Sequence, residues 1–172
     1  MEPDYTQLVE GCRRGDPHAQ RALYDALSPM ALGVCMRYAR DRHTAQDLLQ
    51  DGFIKVFENI GRLKKPESVG AWVYKVMVNR CVNHCKRHRS PLPLDEVADT
   101  PVSLPLDPFA LEEVVGALQQ LPPQQRTVFN LVEVEDYSYS EVAARLQCSE
   151  HTVRANLSRA KSRLKEILNR NK

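Results

Sequence analysis

The sequence predicts an all-α protein made of two small helical domains joined by a flexible, proline-rich, acidic linker, with a helix-turn-helix in the second domain. Apolar residues recur at steps of three and four through most of the chain, as on one face of a helix. Prolines at 91, 93, 101, 105 and 108 interrupt this pattern, because no helix continues through that spacing. We therefore expect an N-terminal domain at 1–89, the linker at 90–107 and a C-terminal domain at 108–172.

Charge supports the same division, although the formal net charge is only +2. Residues 1–90 hold 15 Lys and Arg against 10 Asp and Glu, and residues 126–172 hold 9 against 6. Residues 91–125 hold no basic residue and 6 acidic ones. Two basic segments therefore flank an acidic connector, and the near-neutral total hides them.

Cysteine usage and hydropathy argue against a disulfide-stabilised protein and against a membrane-spanning one. The 5 cysteines are odd in number and scattered through helical patterns, which argues against a disulfide framework and for a reducing compartment. No charged leader with a following apolar stretch begins the chain, and no apolar run approaches membrane-spanning length. We expect a cytoplasmic protein without membrane insertion.

Capping residues and prolines mark the helices of the N-terminal domain. Asp-Pro at 16–17 and Ser-Pro at 28–29 each place a capping residue before a proline at a first helical position. Thr44 with Asp47 resembles a capping box for a helix through AQDLLQDGFIKVFENI. Ser68 opens the next helix, VGAWVYKVMVNRCVNHCKRHR, which ends in basic residues.

The same signals order the C-terminal domain. Asp-Pro at 107–108 restarts a helix, and Pro-Pro at 122–123 ends it and begins QQRTVFNLVEV. Ser138 with Glu141 forms a capping box for the short helix YSEVAARL, and Ser149 caps the final helix. A short helix, a three-residue break and a basic helix have the spacing of a helix-turn-helix. The shared core should contain Val142, Leu146, Val153 and Leu157.

The final helix has two distinct faces. Its apolar stripe must dock on a core, while seven cationic residues against a single glutamate follow Val153. We therefore predict that its N-terminal part enters the major groove of DNA and that its later cations meet phosphates. Gln147 stands in the turn where many such motifs have glycine, and a positive φ there costs about 1 kcal/mol.

Both halves together resemble the extracytoplasmic-function sigma factors of bacterial RNA polymerase. AQDLLQDGFIKVF followed by GAWVYKVMVNRCVN resembles the family's promoter-melting domain, and LPPQQRTVFNLVEVEDYSYSEVAARLQCSEHTVRANLSRAKSRL is similar to its C-terminal domain. The resemblance implies a transcription initiation factor and not an enzyme. It implies three partners: core RNA polymerase, promoter DNA and an anti-sigma factor. It also implies that the chain needs no cofactor and that the acidic linker lies in the polymerase's RNA exit path.

The resemblance carries over site residues in the N-terminal domain. Three should dock on the clamp of the polymerase's largest subunit: Asp47, Gln50 and Asp51. Five should form a pocket for a base flipped from the minus-ten strand: Lys55, Asn59, Leu63, Val76 and Asn79. Asn79 is the strongest of these, because an amide can both donate to and accept from a base edge. Three should hold backbone phosphate: Lys86, Arg87 and Arg89. Trp72, the single tryptophan, should anchor the core.

The resemblance also carries over minus-thirty-five contacts on the final helix. They are Arg154, Ala155, Ser158 and Arg159, with Thr152 and Lys161 on phosphates. Arg154 could donate two hydrogen bonds to a guanine, at its O6 and N7 atoms. Asn156 stands where the family often has a basic residue.

Two alternatives remain open from the sequence. Cys81, His84, Cys85 and His88 lie on one helix face and could form the zinc site of a metal-dependent sensor. One straight helix can hardly close a tetrahedron with four of its own side chains, so we predict no metal. The second alternative is a stand-alone helix-turn-helix regulator, which would bind duplex operators tightly without polymerase.

Overall fold

The computed structural model describes residues 3–88 and 111–170, and all regular structure within these ranges is helical, as predicted. The first range contains α1 (Tyr5–Arg13), α2 (Pro17–Tyr38), α3 (Arg42–Asn59) and α4 (Val69–Arg87), with 3₁₀ turns at Ile60–Arg62 and Pro66–Ser68. The second contains α5 (Leu111–Gln119), α6 (Pro123–Phe129), α7 (Tyr139–Leu146) and α8 (Glu150–Arg170), with a π-helical turn at Asn130–Val134. The predicted linker lies outside the described residues, as do the predicted helix start at 107–108 and Arg89.

Two predicted helix starts in the N-terminal half are wrong. Pro29 lies inside α2, which continues because Leu27 and Ala31 are buried on either side of it. Thr44 also lies inside a helix, because the break after α2 is so short that α3 begins at Arg42. Its expected partner in a capping box, Asp47, instead lies 3.6 Å from His43.

The chain divides into two compact units whose bounds differ from the domains expected from composition. Unit 1 comprises Met1–Cys35 with Arg42–Cys81, and unit 2 comprises Met36–Asp41 with Val82–Lys172. The domain boundaries expected at 89/90 and 107/108 lie outside the described residues, so they stay a prediction from the sequence.

The core of unit 1 includes a close approach between α3 and α4. A Cβ atom on Gly52 would lie 2.3 Å from Sδ of Met77, a fully buried side chain. Glycine in the middle of α3 costs helix stability, and this contact is its structural reason. Arg80 of α4 also donates to Asp51 of α3 at 3.2 Å. These contacts fix the surfaces that α3 and α4 leave exposed.

The core of unit 2 is built around the helix-turn-helix. The four predicted core residues are all buried: Val142, Leu146, Val153 and Leu157. Gln147 in the turn has φ 53° and ψ 49°, the left-handed conformation expected for this position. The tight turn thus forms without glycine, and α8 packs on both α6 and α7.

Candidate nucleic-acid interface

Local caps position α8, the predicted recognition helix. The predicted capping box at α7 is present, because Glu141 accepts from the Ser138 backbone at 2.8 Å and the Ser138 side chain accepts from the Glu141 backbone at 3.3 Å. Ser149 then accepts from the backbone N–H of Thr152 at 3.1 Å, as predicted for the start of α8. Both helices of the motif therefore begin at the residues expected from the sequence.

Arg154 is the most available of the predicted minus-thirty-five contacts. It is exposed on the first turns of α8, and its guanidinium lies 4.9 Å from the ring centre of Tyr139 on α7. A cation held over an aromatic face is restrained without losing its hydrogen-bond donors. Sequence reasoning missed Tyr139, although its place at the start of α7 was known.

The two predicted phosphate contacts of α8 already have partners in the protein. Lys161 lies 2.7 Å from Glu133, and the Lys161 side chain is 20% exposed. The Thr152 hydroxyl lies 2.9 Å from the Ser149 hydroxyl. The Lys161–Glu133 ion pair must open before Lys161 can neutralise a phosphate. Arg159 is half-buried.

Three polar or small residues that the sequence placed near DNA on α8 are buried in this structure: Ala155, Asn156 and Ser158. Ala155 is 8% exposed and Ser158 is 7% exposed, so base contact by either requires that this face be uncovered first. Asn156 is 2% exposed, and its amide donates to the Thr152 carbonyl at 3.0 Å. Asn156 is therefore turned into the protein, away from the phosphate contact that the family often makes there.

The five predicted minus-ten residues lie on α3, the loop after it and α4, but they differ in exposure. Lys55 and Asn79 are exposed, Asn59 and Val76 are half-buried, and Leu63 is 8% exposed. Lys55 pairs with Glu58 at 2.6 Å, and the Asn59 amide donates to the Lys55 carbonyl at 2.9 Å. Lys55 and Asn79 are thus the most exposed of the five.

The end of α4 carries the predicted phosphate cations of the N-terminal half. Arg87 is exposed and Lys86 is half-buried, while Arg89 lies outside the described residues. Trp72 is also half-buried, so it is only partly within the core that it was expected to anchor.

The predicted polymerase-docking residues share an exposed face of α3. Asp47, Gln50 and Asp51 are all exposed, and Ile54, about one turn further on, is 54% exposed. Beside this face an open groove of about 540 Å³ is lined by residues of α2 and α3: Tyr24, Ser28, Pro29, Leu32, Gln46, Leu49 and Gln50. Sequence reasoning missed Ile54, although its position on the polar side of the helix was a detectable signal.

The proposed zinc ligands do not assemble into a metal site among the described residues. Cys81 and Cys85 are buried, whereas the rings of His84 and His88 are tilted to each other with centroids 4.3 Å apart. Within residues 3–88 and 111–170, no group of three or more His, Cys, Asp or Glu side chains is arranged to hold a metal ion. In the same ranges, no helix has the length and apolarity that crossing a membrane requires.

Comparison with known proteins identifies both halves. Residues 23–90 match the family model for sigma-70 region 2, and residues 111–164 match that for sigma-70 region 4. The RNA polymerase sigma-H factor of Pseudomonas aeruginosa is 30% identical over 94% of this chain and 92% of its own. The ECF RNA polymerase sigma factor SigW of Bacillus subtilis is 24% identical over 98% of both chains.

A solved structure agrees on the fold. The sigma factor RpoE of Bartonella quintana, in complex with the anti-sigma factor NepR, aligns with a TM-score of 0.52 and 21% identity, covering 88% of this chain and 98% of that one. The chain therefore belongs to the extracytoplasmic-function sigma factors, which direct bacterial RNA polymerase to its promoters.

Proposed function

We propose that this chain holds one promoter at two places while bound to core polymerase. Arg154 and its neighbours on α8 bind the minus-thirty-five duplex, and the surface carrying Lys55 and Asn79 captures the minus-ten strand. The observation that carries this proposal is the exposure of Arg154 at the start of a helix positioned by a complete helix-turn-helix. A base flipped from the duplex must regain a few kcal/mol through stacking and hydrogen bonds, and Asn79 offers both a donor and an acceptor.

We further propose that the polymerase docks on the exposed face of α3. Asp47 and Asp51 supply negative charge there, and the largely exposed Ile54 supplies apolar area next to the groove against α2. Docking would remove the exposed side chain of Ile54 from water, which favours association. Arg80 restrains Asp51 at 3.2 Å, so the docking face is partly preorganised.

Three further inferences follow from the sigma-factor assignment. The chain acts in the cytoplasm, where its polymerase is. It performs no chemistry itself, since the catalytic metal belongs to the polymerase. An anti-sigma factor is its regulatory partner. The domain predicted at 1–89 captures the minus-ten strand, and the domain predicted at 108–172 binds the minus-thirty-five duplex. The segment 90–107 joins them.

Reconstituted transcription tests the proposal. The full-length chain is added to core polymerase on a library of supercoiled promoters, and we expect specific transcripts that core polymerase alone does not make. Asp47→Lys should weaken association with core polymerase, because it reverses a charge on the docking face. Glu112→Lys, a charge reversal at an exposed residue of α5, is the matched control and should retain association.

Two outcomes would contradict the proposal. Association with core polymerase no stronger than that of an unrelated basic protein would exclude docking. Tight, sequence-specific duplex binding by the chain alone, with no transcripts above core polymerase, would instead identify a stand-alone helix-turn-helix regulator.

A further inference from the structure

Two cysteines without an assigned role line the same small cavity. Cys85 lies near the end of α4, and Cys148 lies in the turn before α8. Both line a cavity of about 10 Å³ within unit 2. This volume corresponds to about one water molecule, and the two cysteines are among the eight residues that line it. Neither cysteine is in a disulfide.

The surroundings of the two thiols differ in a way that suits a two-step oxidation. Cys148 is half-buried, whereas Cys85 is 6% exposed and donates to the Pro123 carbonyl at 3.5 Å. The buried guanidinium of Arg126 interacts electrostatically with Cys85. Solvent reaches Cys148 more easily, while Cys85 is the better placed internal nucleophile.

A polar atom of the same cavity can assist the intermediate. Asn156 lines the cavity and is 2% exposed, and among the described residues its buried Oδ1 has no hydrogen-bond partner. A buried acceptor left unsatisfied costs free energy. A sulfenic acid on Cys148 would bring an O–H group that can donate a hydrogen bond to Asn156 Oδ1.

We propose that Cys85 and Cys148 form a reversible disulfide when the chain meets a hydroperoxide. The Cys148 thiolate attacks hydrogen peroxide, so that an S–O bond forms, the O–O bond breaks and hydroxide leaves. The Cys85 thiolate then attacks the Cys148 sulfur, an S–S bond forms and a second hydroxide leaves. The two thiol protons convert these hydroxides to water, and two electrons pass from sulfur to peroxide.

The disulfide would connect α4 to the turn that precedes the recognition helix. Its effect on transcription depends on the proposed function, in which the N-terminal part of α8 must enter the major groove. A covalent bond at Cys148 restrains that part of α8. We therefore expect oxidation to abolish most minus-thirty-five-dependent initiation, reversibly, as in other redox-sensing cytosolic disulfides.

Peptide mapping of the full-length chain tests the bond itself. After treatment with hydrogen peroxide, alkylation and digestion without reductant, mass spectrometry should find one peptide pair joined through Cys85 and Cys148. Dithiothreitol should release it. Cys12 serves as an internal control and should form no link, because it does not line the cavity that Cys85 and Cys148 share. Cys148→Ser, which replaces a half-buried thiol with a hydroxyl group, should abolish the crosslink.

The outcomes separate this proposal from the function proposed above. Oxidation of Cys148 to sulfinic acid with no link to Cys85, or links only between different chains, overturns the disulfide whether or not the chain initiates transcription. If the crosslink forms, oxidised wild-type protein should lose most transcripts and regain them with dithiothreitol, while Cys148→Ser keeps its transcripts under peroxide. A crosslink that leaves transcription unchanged overturns the regulatory role.

Discussion

Arg126 shows at the residue scale how a charge can serve the fold of this protein. The side chain is 3% exposed. Its guanidinium donates to four carbonyl oxygens, those of Leu118 (2.9 Å), Gln119 (3.1 Å), Leu121 (2.7 Å) and Tyr38 (2.9 Å). The end of α5 leaves carbonyls without helical partners, and Arg126 satisfies several of them. Burial lowers the pKa of Arg126, opposed by Cys85 and Asp41, but an arginine stays charged at neutral pH.

We predict that Arg126→Lys destabilises the protein. A lysine keeps the charge but lacks the planar fork, so it leaves buried carbonyls without a donor. The free energy of unfolding should fall by about 2 kcal/mol or more, measured by urea denaturation. Arg163→Lys, at an exposed position of α8, should stay within about 0.5 kcal/mol of wild type. Equal stability of both variants would show that water replaces the arginine contacts.

At the scale of the element, the capping box of α7 links stability to pH. The Ser138 backbone N–H, followed by the Ser138 hydroxyl, lowers the pKa of Glu141 by hydrogen bonding to its carboxylate. Because the folded pKa lies below the ordinary value of about 4.3, the contribution to stability is complete above that value. It is lost as the pH falls through the lowered folded pKa.

Glu141→Gln should remove this dependence, because glutamine keeps the capping box but does not titrate. Wild type should be the more stable protein at neutral pH, and the difference should shrink to nothing in acid. Unfolding free energies of both proteins over a series of pH values measure it. Ser138→Ala should lose only the part that comes from the hydroxyl, because the backbone N–H that makes the larger contribution remains. A difference that is constant with pH would mean that the carboxylate charge makes no contribution.

The recognition helix is the second element with a direct test. Arg154→Ala should relax sequence preference in the upstream promoter element, with a loss of roughly 1–3 kcal/mol at one base pair. Competition among promoter variants for the reconstituted holoenzyme measures this preference. Arg163→Ala, an exposed cation further along α8, should at most weaken all sequences alike. If Arg154→Ala also weakens all sequences alike, Arg154 contacts phosphate instead.

For the whole molecule, the proposed function has two modest sites act on one promoter through polymerase, so that each raises the effective concentration of the other. We predict that Asn79→Ala impairs open-complex formation by roughly 1 kcal/mol and changes closed binding less. The effect should be smaller on a promoter whose minus-ten region is already unpaired. Asn83→Ala, also exposed on α4, is the matched control. An equal loss on duplex and unpaired promoters would exclude base capture by Asn79.

Local signals made much of this fold predictable. The starts at Pro17, Tyr139 and Glu150 follow from caps and prolines, whose effects reach only a few residues. The start expected at Pro29 failed because buried neighbours on both sides hold α2 together, a contribution that no local pattern contains. The exposure of Arg154 follows from helical period, but the burial of Ala155 and Ser158 does not.

The amino-acid order alone determined the helical class, the helix-turn-helix and the family, because these depend on periodicity, capping and motif spacing along the chain. Tertiary structure decided which cations are available to bind DNA. Lys161 forms an ion pair with Glu133, whereas Arg154 lies over the ring of Tyr139 and stays exposed. Tertiary structure also brought Cys85 and Cys148 to one cavity. Such pairings depend on side chains that are distant in sequence, and only the packing of helices brings them within reach.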